Sequence, residues 1–194
     1  MLFDTHAHVN FNAYRDDTDE VIRRSLDGSM SSPQVWMINV GSQYNTSQRA
    51  VGMAEKYPEG VYAAIGLHPI HVNEEEFNYD KYKELVRSRK VVAIGEIGLD
   101  YKPEHFSFKE KQKEVLLRQL DLAEELNLPV IFHCRSAHDE MIEILRNQQG
   151  LRGVIHCFTG TLEQAQKYLD MGFYLGFNGI IFKLDLDAVI KKIP

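Results

Sequence analysis

The chain has 194 residues, of which 44% are hydrophobic and 26% are charged, a composition typical of soluble globular proteins. Its formal net charge of −6 at pH 7 argues against a broad basic surface for nucleic acid, although bound divalent cations would supply positive charge locally. No apolar run reaches the length of a membrane span and the first residues lack signal-peptide features, so we expect a cytoplasmic protein with no membrane contact.

Short apolar runs and amphipathic segments alternate along the chain. Strands are predicted at residues 2–8, 35–41, 61–68, 91–100, 130–133, 154–158 and 173–177. Helices are predicted at residues 18–26, 47–57, 79–89, 110–126, 137–147, 162–170 and 185–192. This alternation favours a parallel sheet with helices outside it. We predict an α/β fold, a TIM-type (β/α)8 barrel that lacks the final β8/α8 unit, with residues 1–194 forming a single domain.

The segment 91–101, VVAIGEIGLDY, is a predicted buried strand that ends in acidic residues. Glu96 interrupts its apolar run next to a glycine. A buried carboxylate is costly unless it is paired or binds a cation. Taken alone, Glu96 is better explained by a salt bridge at a strand end, so the metal interpretation depends on the histidines that end other strands.

Histidines mark the ends of other predicted strands. His6 and His8 are two residues apart and therefore face the same way, and His133 and His156 end two later strands. His133 or His156 alone is more often a core or surface histidine than a ligand. The His6–His8 pair alone fits a metal site and a hydrogen-bonded histidine pair equally well. Together with Glu96, however, they all lie at C-terminal strand ends, where barrel active sites are built. Five such side chains suit two divalent cations, with Glu96 as a bridge.

Two cysteines directly follow histidines on predicted strands. Because successive strand residues face opposite sides, Cys134 and Cys157 are expected to point away from the histidine side as free thiols in the core.

Five motifs follow one another in a specific order. They are DTHAH at 4–8, GLHP at 66–69, GEIGLDY at 95–101, FHCR at 132–135 and HCFTG at 156–160. In these motifs the sequence resembles the TatD-family metal-dependent deoxyribonucleases, within the amidohydrolase-like metallohydrolases. The resemblance implies a TIM-type barrel, divalent metal ions and hydrolysis of DNA phosphodiester bonds. It also implies metal ligation by the residues His6, His8, Glu96, His133 and His156.

The identity of the metal stays open. Imidazole-rich ligation favours zinc, manganese, nickel or iron over magnesium, whereas the resemblance implies activity supported by magnesium.

A further set of residues is predicted to handle the substrate. His68 is expected to contact a substrate phosphate or support a ligand, with a structural His–Pro corner as the alternative. Arg135 shares a strand face with His133 and suits bidentate phosphate contact, with an ion pair to Asp100 or Glu96 as the alternative. Asp100 is expected to orient a ligand histidine. The predicted catalytic residues are thus Glu96, His68, Arg135 and Asp100.

The resemblance also implies an eighth strand after residue 194, with an aspartate in a Thr-Asp-(Ser/Ala)-Pro motif. Without that aspartate we expect weak hydrolysis, and the open edges at 2–8 and 173–177 predict self-association. Three functions remain open. The first is cleavage of DNA, at 3′ ends or in single-stranded regions, by a metal-activated water. The second is hydrolysis of C–N or C–O bonds in a small metabolite or aminoacyl ester. The third is metal binding without turnover.

Overall fold

The computed structural model describes residues 1–29, 32–148 and 150–194. Within these residues seven parallel strands form one sheet in chain order: β1 (Leu2–Ala7), β2 (Val35–Val40), β3 (Val61–Ile65), β4 (Val91–Asp100), β5 (Val130–Arg135), β6 (Gly153–His156) and β7 (Tyr174–Leu175). The helices between them are α1 (Thr18–Asp27), α2 (Tyr44–Ala54), α3 (Tyr79–Leu85), α4 (Lys109–Glu125), α5 (His138–Arg146), α6 (Leu162–Asp170) and α7 (Asp187–Ile190). This architecture confirms the predicted TIM-type barrel lacking one βα unit.

Strand β4 is central to the sheet and pairs with β3 on one side and β5 on the other. The large core lies between the sheet and its helices and includes the buried side chains of Ile65, Ile94 and Leu116. A second, small cluster contains Val40, Ala64, Ala93 and Ile131. Its members come from adjacent strands β2 to β5, as in the side-chain layers that fill a barrel interior. Side chains at the C-terminal strand ends therefore lie above a closely packed apolar layer.

Several predicted boundaries are wrong. Strand β3 ends at Ile65 because the chain turns there into a short 3₁₀ segment, Pro69–His71, in which proline has no N–H for a strand ladder. Helix α2 begins at Tyr44, because Gln43 and Thr46 cap its first turn reciprocally. Strand β7 contains two residues, because its pairing with β6 covers Tyr174 and Leu175 alone among the described residues.

Strands β1 and β7 are the two edges of the sheet within the described residues. The large apolar side chains of Leu2, Phe3 and Tyr174 on these edges are exposed. The association of chains through the edges remains a prediction.

Among the described residues, no helix combines the length and apolar character needed to cross a bilayer.

Candidate metal centre

Glu96 lies in β4 with 6% of its surface exposed and faces imidazoles from three other segments. Its Oε1 is 3.2 Å from Nδ1 of His133. Its Oε2 is 3.3 Å from Nε2 of His6 and 3.8 Å from Nε2 of His68. The two carboxylate oxygens thus serve opposite sides of the same cluster, which is the arrangement expected of a bridging ligand.

A glycine allows β4 and β5 to approach closely beside this carboxylate. Gly98 has a φ of 151°, and a Cβ built on it would lie 1.9 Å from the backbone oxygen of His133. A side chain at this position would therefore push away the strand that carries His133. The glycines around Glu96 are part of what positions the cluster.

The histidines of β1 and β6 meet on the second side of Glu96. Nε2 of His6 is 3.1 Å from Nε2 of His8, and the His6 ring stacks on the His156 ring with a centroid distance of 3.5 Å. Nδ1 of His8 lies 3.1 Å from the carbonyl oxygen of Val40 and donates to it, which leaves a lone pair on Nε2 of the neutral ring. His8 is thus held in the tautomer that a metal ligand requires.

Asp100 contacts His133 on the side opposite Glu96, while its role in orienting a ligand histidine stays a prediction. Its Oδ2 accepts from Nε2 of His133 at 2.9 Å, and its Oδ1 is 3.0 Å from Nδ1 of His105. The amide of Gln112 fixes the same position by bonding both backbone groups of Asp100. Neither His105 nor Gln112 was assigned a role from the sequence, because contacts across an irregular loop leave no periodic signal.

His68 lies beside the cluster, and the 3₁₀ segment that follows it fixes the orientation of its ring. Nδ1 accepts a hydrogen bond from the backbone N–H of Ile70 at 3.3 Å. In the neutral ring the proton is therefore on Nε2, which faces Glu96. His68 consequently presents a hydrogen-bond donor to the cleft, whereas His8 presents a lone pair.

Three histidines of the cluster, His8, His68 and His156, are held in their neutral form. Burial, together with the nearby His133, lowers the pKa of His68 to about 3. Burial and the neighbouring His6 lower the pKa of His156 to about 4, and the same two causes lower the pKa of His8. Neutral imidazole is the form that binds metal ions.

Glu96 and His133 behave differently because they pair with each other. Burial by itself raises the pKa of Glu96, but hydrogen bonds from His133 and His6 outweigh it and hold that pKa well below its usual range. Burial alone would lower the pKa of His133, but hydrogen bonds to Asp100 and Glu96 raise it to about 9. Without a cation, a positive charge is thus stabilised on His133 between two carboxylates.

The donor set fits divalent cations. Nε2–H of His133 donates a hydrogen bond to Asp100, so Nδ1 of the neutral ring carries a lone pair. This lone pair faces Oε1 of Glu96, which also carries lone pairs, so a proton or a cation must lie between the two atoms. Potential ligand atoms of His6, Glu96 and His156 lie within 4.8 Å of one another, as do those of His68, Glu96 and His133. Nδ1 of His6 is buried without a partner among the described residues.

These side chains line an open cleft of about 610 Å³. All five predicted ligands and His68 contribute to its wall. Arg135 does not line this cleft. It lies on the wall of an adjacent cavity and makes no ion pair with Asp100 or Glu96 among the described contacts. Its predicted role in phosphate contact remains untested.

The expectation for the cysteines is half wrong. Both are free, and Cys134 is buried. Cys157, however, is only partly buried and lines the cleft, where its Sγ lies 3.4 Å from Oδ1 of Asn178. The reason is its φ of 49°, since β6 ends at His156 and strand alternation no longer applies to the next residue.

Comparisons with known proteins identify the family of the chain. The profile of the family described as TatD related DNase matches residues 3–194. YabD of Bacillus subtilis, described as an uncharacterized metal-dependent hydrolase, is 43% identical over 202 residues, covering 100% of this chain and 76% of that protein. The 3′-5′ ssDNA/RNA exonuclease TatD of Erwinia tasmaniensis is 34% identical over 183 residues, covering 93% of this chain and 69% of that protein.

Solved structures share the same fold. YJJV, a TatD homolog from Escherichia coli, has a TM-score of 0.85 at 31% identity, covering 100% of this chain and 75% of that one. A TatD-family hydrolase from Entamoeba histolytica has a TM-score of 0.84 at 30% identity, covering 100% of this chain and 70% of that one. The chain therefore belongs to the TatD family and is a metal-dependent hydrolase.

Proposed function

We propose that the chain hydrolyses phosphodiester bonds of DNA at 3′ ends or in single-stranded regions. The observation that carries this proposal is the convergence of imidazoles from β1, β5 and β6 on the single carboxylate of Glu96. The relative from Erwinia tasmaniensis is named a 3′-5′ ssDNA/RNA exonuclease, and the family description is that of a DNase. Both names support a nucleic-acid substrate.

The proposed metal ligands are His6, His8, Glu96, His133 and His156, and they suit two divalent cations. Oε2 of Glu96 faces His6, and Oε1 faces His133, so each oxygen serves a different side of the cluster. When bound, the cations lower the pKa of a water molecule and stabilise negative charge on the reacting phosphate. The net charge of −6 is no obstacle, because the cations neutralise the phosphate locally.

The remaining polar groups of the cleft take supporting roles. His68 offers its Nε2–H to a non-bridging phosphate oxygen, since its other nitrogen is occupied by Ile70. Asp100 positions His133 so that Nδ1 faces Glu96. His105 and Gln112 in turn hold Asp100 in place.

A direct nuclease assay tests the proposal. Single-stranded oligonucleotides labelled at the 5′ or the 3′ end are incubated with the chain and Mg²⁺, Mn²⁺, Zn²⁺ or Ni²⁺. We expect metal-dependent release of nucleotides that is lost in Glu96→Gln, because the amide removes the charge that bridges the cluster. The matched control is Glu114→Gln, the same change on the exposed face of α4, which should retain full activity.

The outcomes separate the alternatives. Hydrolysis of p-nitrophenyl acetate or an aminoacyl ester without hydrolysis of any phosphodiester would replace the proposal with hydrolysis of C–O or C–N bonds, because the same donor set would polarise a carbonyl. A chain that holds metal but hydrolyses neither class would be a metal-binding protein without turnover.

A further inference from the structure

A second cavity lies beside the metal cleft, and the proposed chemistry does not use it. We name it the α5 cavity. It has a volume of about 940 Å³, within the range of small-molecule sites. Its wall includes Tyr101, Arg135, His138, Thr159, Leu162 and Leu186. These residues end strand β5 or follow strands β4 to β7, so the α5 cavity opens on the same face of the sheet as the metal cleft.

The ends of the same strands contribute wall residues to both cavities. On β5, His133 lines the metal cleft, whereas Arg135 lines the α5 cavity. His156, the last residue of β6, lines the cleft, and Thr159, three residues later, lines the α5 cavity. His133 and Arg135 are two residues apart on a strand, a step of about 6.7 Å. A polymer held over the metal cleft would therefore place its next unit at the α5 cavity.

The free positive charge of the α5 cavity belongs to Arg135. Among the described residues Arg135 has no ion pair and no side-chain hydrogen bond. Three carboxylates also line the cavity: Asp139 accepts from Nε2 of Gln164 at 2.9 Å, Asp185 accepts from the backbone N–H of Asp187 at 3.3 Å, and Glu140 accepts from Tyr101 at 2.9 Å and pairs with Lys113. Among the described residues none of them is paired with Arg135. An anion entering the cavity would thus meet an unpaired guanidinium.

Helix α5 adds further donors at this position. Its N-cap, Ala137, provides no side-chain hydrogen bond, so the first-turn N–H groups lack a cap. His138 is 7% exposed, lines the cavity, and has a buried Nε2 without a partner among the described residues. Nδ1 of the same ring is already bonded to the hydroxyl of Tyr168 at 3.2 Å. Uncapped N–H groups next to a free guanidinium form a favourable environment for a phosphate.

Resting on the proposed nuclease function, we propose that the α5 cavity is the subsite for the nucleotide adjacent to the scissile linkage. Arg135 and the first turn of α5 bind the phosphate of that nucleotide. The apolar side chains of Leu162, Leu184 and Leu186 contact its base. Contacts of this kind accept any base, so the subsite adds affinity without sequence preference.

Kinetics with substrates of two sizes test this assignment. Thymidine trinucleotide spans both cavities, whereas bis(p-nitrophenyl) phosphate fills only the metal cleft. In Arg135→Gln we expect the ratio of kcat/KM for the trinucleotide to kcat/KM for the small diester to fall about tenfold, mainly through KM, since a charged hydrogen bond is lost. Arg135→Lys should recover part of the ratio, because it keeps the charge but not the bidentate geometry.

Two further variants separate charge from shape. Arg146→Gln removes an exposed arginine at the opposite end of α5 and should leave the ratio as in the wild type. Ala188→Trp adds bulk at an exposed residue of the cavity wall and should lower the ratio by filling the space. Thermal unfolding of each variant verifies its fold.

The possible results are distinct. If kcat/KM falls equally for both substrates in Arg135→Gln, Arg135 acts at the metal cleft and the subsite is overturned. The subsite is also overturned if kcat/KM stays as in the wild type for both substrates. If the wild type hydrolyses neither substrate, the proposed function fails. Binding of fluorescein-labelled oligothymidylate in EDTA then decides on the subsite alone, with an expected loss of about tenfold in affinity for Arg135→Gln. Equal affinity of the variant and the wild type would refute the subsite.

Discussion

Replacing Asp100 by asparagine tests the chain of contacts that holds His133. The amide keeps the shape of the carboxylate but removes its charge. Asp100 contacts Nε2 of His133 at 2.9 Å and Nδ1 of His105 at 3.0 Å. We expect the pKa of His133 in the metal-free protein to fall from about 9 towards its ordinary value, because one of the two carboxylates that counteract burial is lost.

The size of the effect follows from the same shift. A pKa near 9 against an unfolded value of 6.5 corresponds to about 3 kcal/mol of stability. This contribution is fully present below pH 6.5 and is lost as the pH rises through 9, because the folded state holds the proton more tightly than the unfolded state does. In Asp100→Asn that loss of stability between pH 6.5 and 9 should become smaller. Metal affinity should fall by about 10- to 100-fold, as for other residues that orient a ligand histidine.

Two measurements check this prediction. NMR titration of the histidine Cε1 protons in EDTA reports the pKa of His133, and isothermal titration with Mn²⁺ or Zn²⁺ reports the metal affinity. Asp121→Asn makes the same chemical change on the exposed surface of α4 and should alter neither quantity. A pKa of His133 that stays near 9 in Asp100→Asn, or an unchanged metal affinity, would refute the reasoning.

Two further predictions concern stability. Gly98→Ala should destabilise the fold by about 3 kcal/mol or more, because its Cβ would meet the backbone of His133. The Cβ of Gly52→Ala meets nothing within 4 Å, so this change should stabilise α2 by about 0.5–1 kcal/mol. Equal effects of the two variants in urea unfolding would contradict this prediction. Burial lowers the pKa of His138 to about 4, so the unfolded state takes up a proton between pH 6.5 and 4 that the folded state does not. This proton uptake removes about 2 kcal/mol of stability at pH 5 relative to pH 8, in addition to the losses from His8, His68 and His156, whose pKa values are lowered as well. Unfolding of His138→Gln should therefore show a fall in stability between pH 8 and pH 5 that is about 2 kcal/mol smaller than in the wild type, and an equal fall in the two proteins would contradict this.

The architecture could be predicted from the sequence because its strongest signals are local. Strand β4 occupies residues 91–100 as predicted. Its first half contains β-branched residues, which favour a strand, and its second half contains glycines and acidic residues that interrupt the apolar run. The convergence of His6, His133 and His156 on Glu96 follows from topology, because every strand in a parallel barrel ends at the same face. Neither result required knowledge of side-chain conformations.

The remaining features depend on tertiary contacts that leave no periodic pattern. His105 reaches Asp100 across an irregular loop. The side chain of Arg135 lines a neighbouring cavity although its strand position matches that of His133, because β5 ends there and the chain turns into α5. Cys157 turns into the cleft because its backbone leaves the strand conformation. Such departures occur at strand ends, which is also where the site is built.

The binding of divalent cations by Glu96 and the surrounding imidazoles can be measured as bound ions per chain. The most direct test is the metal content per chain, measured by inductively coupled plasma mass spectrometry after loading with Mn²⁺ or Zn²⁺ and removal of free ions. We expect two ions in the wild type and in Glu114→Gln, and the loss of at least one in Glu96→Gln. A wild-type chain without bound metal, or a Glu96→Gln variant with the same content as the wild type, would contradict this expectation.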